Sequence, residues 1–219
     1  MKQFLLFLLG FMGIQMIGMA QIYQANNTTL PTNLVSGATM DVESADLDGD
    51  GDLEVILALE FGANIILFNE DGNLAQDPTR LLPEWNPNDG IPGEDSEDIG
   101  IADFDEDGDL DLLFVSEDSP AHELLLNDGN GLFSFAPYQF PGSTANGIAI
   151  LDIDGKQGMD VIIGNNGQNR LFLNNGDATF TEAANRWPVN SNQTQDLKVV
   201  DLDLDGDLDI VEGIELGGN

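Results

Sequence analysis

The sequence contains no cysteine, a single histidine (His122) and only 6 basic residues against 40 acidic ones in 219 residues. The absence of cysteine excludes disulfides, thiol catalysis and cysteine-ligated zinc. One histidine argues against multi-histidine metal centres and histidine-based catalytic relays. The formal net charge of −34 argues against nucleic acid or anionic lipid as a partner, because both require cationic contacts to phosphate. The natural counter-ion of this chain is a cation.

The amino terminus has the organisation of an export signal. Lys2 precedes a mostly apolar run, and Ala20 ends a small-residue cleavage site. The apolar run is short for a membrane span. We therefore expect residues 1–20 to be a signal peptide and residues 21–36 to be a leader segment. The mature chain is expected to be secreted or held at the cell surface, with no membrane span.

Four acidic segments repeat along the rest of the chain, with spacings of 57, 49 and 49 residues between their first aspartates. A recurring period of this length is typical of repeat architectures, in which each repeat is one unit of supersecondary structure. The segments are ADLDGDGDLEVIL (45–57), ADFDEDGDLDLLF (102–114), LDIDGKQGMDVII (151–163) and VDLDLDGDLDIVE (200–212).

Apolar segments flank the acidic segments in a repeating order. Alternating apolar residues precede the acidic segment, a nearly continuous apolar run follows it, and in the first three copies a third apolar segment ends at an Asn-Gly or Asp-Gly pair. Such pairs favour tight hairpins, because both central positions of a type I′ turn need positive φ. Each repeat therefore predicts four short antiparallel strands. The second and third strands have no polar face, so both of their faces must be buried against other elements.

Sheets stacked radially around an axis provide that cover, so the predicted fold is an all-β propeller of four-stranded antiparallel blades. No copy has the 3.6-residue apolar period of a helical repeat. Residues 37–219 correspond to about 3.7 blades, whereas propellers close with about 4–8. We therefore expect the chain to be part of a larger propeller.

An aromatic residue shortly before a proline recurs between the repeats, at Trp85, Phe140 and Trp187. One interpretation is that these rings fill the gaps between neighbouring blades. The other is that exposed tryptophans form a platform on which a sugar stacks. The sequence does not give their exposure, so both interpretations stay open here.

The acidic segments predict cation sites. In the first loop, which spans residues 46–54, carboxylates at positions 1, 3 and 5 can converge on one centre, and Gly51 at position 6 allows the sharp turn. Position 7 offers a backbone carbonyl and position 9 a further carboxylate. Hard oxygen donors in this number and flexibility suit Ca²⁺ better than Mg²⁺ or Zn²⁺. The predicted ligands of the first loop are Asp46, Asp48, Asp50, Asp52 through its carbonyl, and Glu54.

The second and fourth loops repeat this pattern, so three calcium sites are expected. Clustered carboxylates repel by about 3 kcal/mol per pair at 5 Å and an effective dielectric constant of 20, which favours a bound metal over a solvated acidic hairpin. The second predicted ligand set is Asp103, Asp105, Asp107, Asp109 through its carbonyl, and Asp111. The fourth is Asp201, Asp203, Asp205, Asp207 through its carbonyl, and Asp209.

The third loop, residues 152–160, departs from the pattern. Lys156 replaces the aspartate at position 5 and Gln157 replaces the glycine, which leaves the carboxylates of Asp152, Asp154 and Asp160. The lysine ammonium can neutralise these carboxylates without a metal. We expect this site to be empty or weak.

An EF-hand is the competing calcium motif, and its 12-residue loop ends in a glutamate. Glu212 fills that position in the fourth copy, but Leu57, Phe114 and Ile163 stand there in the others. No loop is flanked by amphipathic helical patterns. Glu212 is therefore interpreted as a residue of a strand edge.

The motifs DLDGDGDLE, DFDEDGDLD and DLDLDGDLD, each between two predicted strands, resemble the FG-GAP/VCBS repeats that form the blades of integrin-α-like propellers. The resemblance covers about residues 37–219. It implies calcium in the hairpin between the first two strands of a blade, with side-chain ligands at positions 1, 3, 5 and 9. It also implies an extracellular propeller, commonly seven-bladed, used in adhesion or ligand recognition.

The sequence therefore favours a calcium-stabilised binding module over an enzyme, with an extracellular protein or carbohydrate as the ligand. The alternative is a polysaccharide lyase or hydrolase built on the same scaffold, or an auxiliary domain of such an enzyme. His122, the one histidine, is expected to be a surface residue rather than a catalytic base. We predict no catalytic residues.

Overall fold

The computed structural model of the chain describes residues 38–60, 62–83, 95–117, 121–184, 186–189 and 191–215. The predicted signal peptide and leader segment lie outside the described residues, as does Trp85. Within those ranges the chain forms 15 β-strands and no helix. The strands are β1 (Ala38–Ala45), β2 (Glu54–Glu60), β3 (Ile65–Glu70), β4 (Asn73–Ala75), β5 (Ser96–Ala102), β6 (Asp111–Ser116), β7 (Ala121–Asn127), β8 (Phe133–Phe135), β9 (Phe140–Pro141), β10 (Ala145–Leu151), β11 (Asp160–Asn165), β12 (Arg170–Asn174), β13 (Phe180–Glu182), β14 (Gln193–Val200) and β15 (Asp209–Glu215).

The strands form four antiparallel sheets, which correspond to the four sequence repeats. Blade 1 is β1-β2-β3-β4, blade 2 is β5-β6-β7-β8 and blade 3 is β10-β11-β12-β13. Blade 4 contains β14 and β15 in the described part of the chain, and the short strand β9 pairs with β7 in blade 2. The prediction of four-stranded antiparallel propeller blades is confirmed.

The Asp-Gly turn between β3 and β4 shows how local sequence fixes a hairpin. Asp71 and Gly72 have φ values of 54° and 84°, as a type I′ turn requires. The side-chain oxygen of Asn69 accepts a hydrogen bond from the backbone N–H of Gly72 at 2.9 Å. Glu70 then pairs with Asn73 across the turn. In this hairpin the Asp-Gly pair sets both the turn and the register of the strands. At Asp128-Gly129 and Asn175-Gly176 only the glycine has a positive φ, so these two pairs do not form the predicted type I′ turn.

Apolar side chains fill the space between neighbouring blades. The second strands of blades 2 and 3 are buried at every position, as predicted from their runs of apolar residues. Between these two blades, the rings of Phe140 and Phe180 lie 4.6 Å apart, and those of Phe104 and Phe180 lie 5.9 Å apart. Burial of one such side chain contributes about 1.5–3 kcal/mol. Contacts between blades therefore supply much of the hydrophobic stabilisation.

The aromatic residues that precede prolines belong to these contacts where the structure describes them. Phe140 is fully buried in the cluster between blades 2 and 3. Trp187 is partly buried and packs against the cluster of Leu151, Ile162 and Leu197, which joins blades 3 and 4. Both rings fill gaps between blades, as the first interpretation predicted.

Each first strand has an irregularity at the same place, which the sequence analysis did not predict. The register shifts lie between Thr39 and Asp41 in β1 and between Ser96 and Asp98 in β5, and the other two first strands have an equivalent shift. The Asp41 carboxylate accepts a hydrogen bond from the N–H of Ile99 in blade 2 at 3.2 Å. The Asp98 carboxylate accepts one from the N–H of Ile148 in blade 3 at 2.8 Å. These aspartates therefore connect successive blades near their first strands.

Asp98 predicts a pH dependence of stability. Burial, with the nearby charge of Asp41, raises the pKa of Asp98 from 3.8 to about 7. The folded protein therefore keeps this proton up to about pH 7, whereas the unfolded chain releases it near pH 4. Since the folded state binds more protons in this window, the contribution of Asp98 to the free energy of unfolding falls as pH rises from 4 to 7.

The variant Asp98→Asn removes this titration. Between pH 4.5 and 7.5 its free energy of unfolding should fall less than that of the wild type, by on the order of 2–4 kcal/mol. Denaturant titrations in chelator at the two pH values measure the difference. Parallel pH profiles for the two proteins would contradict the assignment.

Candidate metal centres

The four acidic loops occupy equivalent places in the fold, each between the first and second strands of its blade. We call them loops 1 to 4, for residues 46–54, 103–111, 152–160 and 201–209. The two strands pair up to the loop, with Ala45 opposite Glu54 and Ala102 opposite Asp111. The antiparallel pair therefore brings positions 1 and 9 of each loop close together, although they are eight positions apart in the sequence.

The first aspartate of each loop folds the backbone around itself. In loop 1 the two oxygens of Asp46 accept hydrogen bonds from the N–H groups of Gly49 at 2.8 Å and Gly51 at 3.1 Å. Asp103 does the same in loop 2, with Asp107 and Gly108 as donors. The glycine at position 6 has a φ of 93–104° in loops 1, 2 and 4, a region that favours glycine.

Three carboxylates converge in each loop, with oxygens within 4.8 Å of one another. Loop 1 brings together positions 1, 3 and 5, whereas the other loops bring together positions 1, 3 and 9. The position-5 carboxylates also accept the N–H of position 7, at 2.8 Å from Asp52 and 3.0 Å from both Asp109 and Asp207. The converging groups are Asp46, Asp48 and Asp50; Asp103, Asp105 and Asp111; Asp152, Asp154 and Asp160; and Asp201, Asp203 and Asp209.

Two of these carboxylates have a buried oxygen that no hydrogen bond within the described part of the chain satisfies and that a bound cation would satisfy. Asp48 Oδ1 and Asp201 Oδ1 are buried and have no hydrogen-bond partner among the described residues. A buried carboxylate oxygen without a partner costs free energy unless a donor or a cation satisfies it. These two oxygens lie in loops 1 and 4. In each loop, the residue that carries the oxygen converges with two further carboxylates. A hard cation is the chemistry that this donor set accommodates.

The position-9 carboxylates of loops 1 to 3 are buried, whereas Asp209 in loop 4 is not. In loop 2, the oxygens of Asp111 accept the N–H groups of Phe104 at 2.8 Å and Asn127 at 2.9 Å. Glu54 in loop 1 makes the equivalent pair of bonds, to Leu47 and Asn69. Loop 3 repeats the arrangement through Asp160. Position 9 therefore ties the start of its loop to the end of the third strand of its own blade.

The electrostatics of the loops favour a positive ion. Burial, followed by the charges of Asp105 and Asp107, raises the pKa of Asp111 to about 7. Burial, followed by the charge of Asp107, also raises the pKa of Asp105. In loop 1, burial and the charges of Asp48 and Asp50 raise the pKa of Glu54. A cation at the centre of the group would reverse this repulsion and hold the carboxylates ionised.

Arg80 is a neighbour of loop 1 that the sequence analysis missed. Its Nη1 contacts Asp48 Oδ2 at 2.6 Å, and its guanidinium lies 3.6 Å from the centre of the Phe68 ring. Asp77 holds the same guanidinium through Nε at 2.9 Å. Arg80 therefore binds one oxygen of Asp48, while the orphaned Oδ1 is the oxygen available to a metal.

Loop 3 has the same three converging carboxylates and a competing cation. The ammonium of Lys156 forms an ion pair with Asp154, and this hydrogen bond lowers the pKa of Asp154. Asp152 still accepts the backbone N–H of Gly155 at 2.7 Å, so the turn is retained. The lysine thus supplies a positive charge at position 5, where the other loops have an aspartate.

Glu212 does not act as the last residue of an EF-hand loop in this structure. It lies within β15, and its Oε1 accepts hydrogen bonds from Asn169 at 2.9 Å and Thr194 at 2.6 Å. All four loops are flanked by strands. The interpretation of Glu212 as a strand residue agrees with these contacts.

Two further features escaped the sequence analysis. Asp95, Glu97 and Glu117 form another acidic group beside the start of β5 and the end of β6, at the opposite end of this strand pair from loop 2. The asparagine at or next to the end of each described third strand, Asn127 for example, contacts the acidic loop of its blade. The triplets Asn127-Asp128-Gly129 and Asn174-Asn175-Gly176 are the sequence signal for these contacts. The sequence analysis assigned their first residue to a strand and gave it no further role.

Comparison with family models identifies the repeats. The model of the FG-GAP-like repeat matches residues 46–114, 103–156 and 152–212. Together these matches span most of the chain, and each includes one or two of the acidic loops. The chain belongs to the FG-GAP repeat family, and its blades are those of an FG-GAP β-propeller. A comparison with curated proteins gives no match.

Solved structures with similarity to the chain include three very different proteins. An Agrocybe aegerita lectin that recognises non-reducing terminal N-acetylglucosamine is 25% identical, with a TM-score of 0.49, over 77% of this chain and 45% of the lectin. BBS1N, solved in complex with ARL6DN and soaked with lead, is 14% identical, with a TM-score of 0.48, over 76% of this chain and 49% of that one. The V. cholerae biofilm matrix protein Bap1 is 16% identical, with a TM-score of 0.46, over 86% and 30% respectively. The chain spans less than half the length of each.

FG-GAP repeats are typical of extracellular or surface proteins. Where the structure describes the chain, it contains no helix with the length and apolar character needed to cross a bilayer.

Proposed function

We propose that this chain is an exported calcium-binding propeller module that recognises an extracellular ligand, with the ions acting as structural staples. The observation that carries the calcium proposal is the pair of buried, orphaned carboxylate oxygens, Asp48 Oδ1 and Asp201 Oδ1, inside groups of three converging carboxylates. Loops 1, 2 and 4 would hold one ion each, and loop 3 would hold none or bind weakly.

Calcium suits these loops better than the other common divalent ions. Every side chain in the converging groups is a carboxylate, and the loops offer neither histidine nor cysteine to zinc. Mg²⁺ demands a tight octahedral shell and keeps several waters, whereas Ca²⁺ accepts six to eight oxygens in flexible geometry. Affinities of about 10⁻⁴–10⁻³ M suffice outside the cell.

Counting bound ions tests the proposal directly. Isothermal titration of the chelator-treated chain with CaCl₂ should give about three ions per chain, and an equal concentration of MgCl₂ should give much weaker binding. The variant Asp105→Asn should lose one ion. A titration without heat or saturation for any divalent ion would refute the calcium proposal.

Loop 3 offers a gain-of-function prediction. The substitution Lys156→Asp removes the ammonium that pairs with Asp154 and restores a carboxylate at position 5. We expect the stoichiometry of bound calcium to rise from three to four ions. Lys156→Gln is the matched control, because it removes the charge without adding a ligand of the same kind, and it should leave a site weaker than that of Lys156→Asp. An unchanged count in Lys156→Asp would show that the lysine is not what weakens loop 3.

We propose recognition of a neutral or basic extracellular protein or carbohydrate. The net charge of −34 supports this choice, since an anionic partner would be repelled by most of the surface. Membership of the FG-GAP family supports a recognition module, because such repeats are typically non-enzymatic. Binding to a glycan array and to immobilised matrix proteins, in calcium and in chelator, is the test. Equal binding in calcium and in chelator would show that recognition of the ligand does not depend on bound calcium.

The contacts of His122 support a binding module over an enzyme. The expectation of a surface residue is wrong, because the ring is fully buried. Its Nδ1 accepts the N–H of Ser116 at 3.2 Å, and its Nε2 lies 2.9 Å from Ser143 Oγ. Burial lowers the pKa of His122 to about 4. The imidazole is therefore neutral and engaged on both sides, which is the pattern of a structural residue that links β7 to the segment before β10.

A further inference from the structure

In blades 2 and 3, the asparagine at the end of the third strand connects the acidic loop of its own blade with that of the preceding blade. Asn127 ends β7 in blade 2, and its backbone N–H donates to Asp111 Oδ1 at 2.9 Å. Its side-chain Nδ2 donates to the carbonyl of Leu47 in blade 1 at 2.8 Å and to that of Leu110 at 3.0 Å. Leu47 is position 2 of loop 1, so one side chain joins the two loops.

Blade 3 repeats this bridge. The backbone N–H of Asn174 donates to Asp160 Oδ1 at 2.8 Å, and its Nδ2 donates to the carbonyl of Phe104 in loop 2 at 2.9 Å. Both asparagines are buried. Buried hydrogen bonds of this kind are costly to break, because the partner left behind has no water to replace it.

The bonds form an uninterrupted chain through three blades. The N–H of Leu47 donates to Glu54 Oε2 at 2.7 Å, and the carbonyl of Leu47 accepts from Asn127. Asn127 then reaches Asp111, which also accepts the N–H of Phe104 at 2.8 Å. The chain continues from the carbonyl of Phe104 through Asn174 and Asp160 to the N–H of Ile153, at 2.9 Å from Asp160 Oδ2. The position-9 carboxylates Asp111 and Asp160 are therefore each linked to the loop of the preceding blade through one asparagine.

We propose that Asn127 and Asn174 are positioning residues that couple calcium binding between neighbouring loops. This inference rests on the proposed binding of calcium. An ion in loop 2 that orders Asp111 also orders Asn127, and Asn127 holds the peptide between Leu47 and Asp48, a predicted ligand of loop 1. Loop 1 then loses less conformational freedom when it binds its own ion, which gives positive coupling.

Asn69 in blade 1 provides a matched control. It makes the corresponding bonds within its own blade, with its N–H 3.3 Å from Glu54 Oε1 and its Nδ2 3.2 Å from the carbonyl of Leu53. In the described part of the chain, no residue of another blade accepts a hydrogen bond from its side chain. Removal of Asn69 should therefore disturb loop 1 without breaking a link between loops.

The test is a calcium titration of the full chain in which each loop is observed separately. The ¹⁵N–¹H resonances of Leu47 and Phe104 report loops 1 and 2, because these amides donate to the position-9 carboxylates. Disabling loop 2 with Asp105→Asn should raise the calcium midpoint of loop 1 about 5-fold, the lower end of typical allosteric coupling. The same shift should occur in an Asn69→Ala background and should fall below about 2-fold in an Asn127→Ala background.

A second variant covers the case in which Asn127→Ala does not fold. Asn127→Asp keeps the oxygen that accepts from Gly129 and Gly131 and removes the donor to Leu47. It should abolish the coupling as well. The inference is overturned if Asp105→Asn leaves the loop 1 midpoint unchanged, or shifts it equally with and without Asn127. Amide resonances that move at no calcium concentration would instead refute the calcium proposal on which the inference depends.

Discussion

Calcium should raise the melting temperature of this chain by more than about 10 °C relative to the same protein in chelator. An ion that binds only the folded state contributes about 2.7 kcal/mol when its concentration is 100 times the dissociation constant. At 10 mM calcium, a site with a dissociation constant near 10⁻⁴ M reaches that ratio. For a chain of this length, each kcal/mol raises the melting temperature by about 2–4 °C. Three such sites therefore exceed 10 °C together.

Thermal unfolding followed by circular dichroism, at calcium concentrations from zero to 10 mM, measures this effect. An equal concentration of Mg²⁺ controls for ionic strength and general charge screening, and should give a much smaller shift. Asp105→Asn should reduce the calcium shift by at least about one third, because one site of three is lost and loop 1 binds its ion more weakly without it. A shift of only one or two degrees in calcium would contradict the proposal that the ions stabilise the folded state.

Asp111→Ala should be the most destabilising single substitution in the loops. It removes a fully buried carboxylate and leaves the N–H groups of Phe104 and Asn127 without their acceptors. Each buried donor without a partner costs about 1–3 kcal/mol. Relief of repulsion from Asp105 and Asp107 offsets part of this loss. We expect a net loss of about 2–4 kcal/mol in chelator and a larger loss in calcium.

Asp207→Ala is the matched control for this substitution. Position 7 is predicted to ligate through its backbone carbonyl, and the side chain of Asp207 is exposed, so stability should change by less than about 0.5 kcal/mol. Urea unfolding of both variants, in calcium and in chelator, gives the comparison. Equal losses in Asp111→Ala and Asp207→Ala would contradict the role assigned to position 9.

Local sequence signals predicted the blades because hairpin register is a local property. The Asp71-Gly72 pair specified its turn, and the apolar run of β6 indicated a strand buried on both faces. The spacing within loops 1, 2 and 4 likewise indicated that the carboxylates at positions 1 and 3 converge, but it did not distinguish loop 1, where position 5 joins them, from loops 2 and 4, where position 9 does. These signals lie within about ten residues, so no knowledge of the other repeats was required to interpret them.

The contacts between blades were not predictable in the same way. Asn127 reaches Leu47 across 80 residues, and the bond from Ile99 to Asp41 spans 58. Arg80 lies in the long insertion between the first two repeats, where no repeat pattern guides the assignment. Such contacts depend on how one blade stacks on the next. The asparagines recur with the repeats, but the repeat pattern does not show which residues of the neighbouring blade they contact.

The calcium account is tested most directly by diffraction from crystals grown in millimolar CaCl₂, with data collected at a wavelength at which calcium scatters anomalously. The account predicts anomalous peaks within loops 1, 2 and 4, each bonded to oxygens at 2.3–2.6 Å, with Asp48 Oδ1 and Asp201 Oδ1 among the ligands. It also predicts a weaker peak or none in loop 3. Well-ordered loops without anomalous density at any of the three strong sites would contradict it.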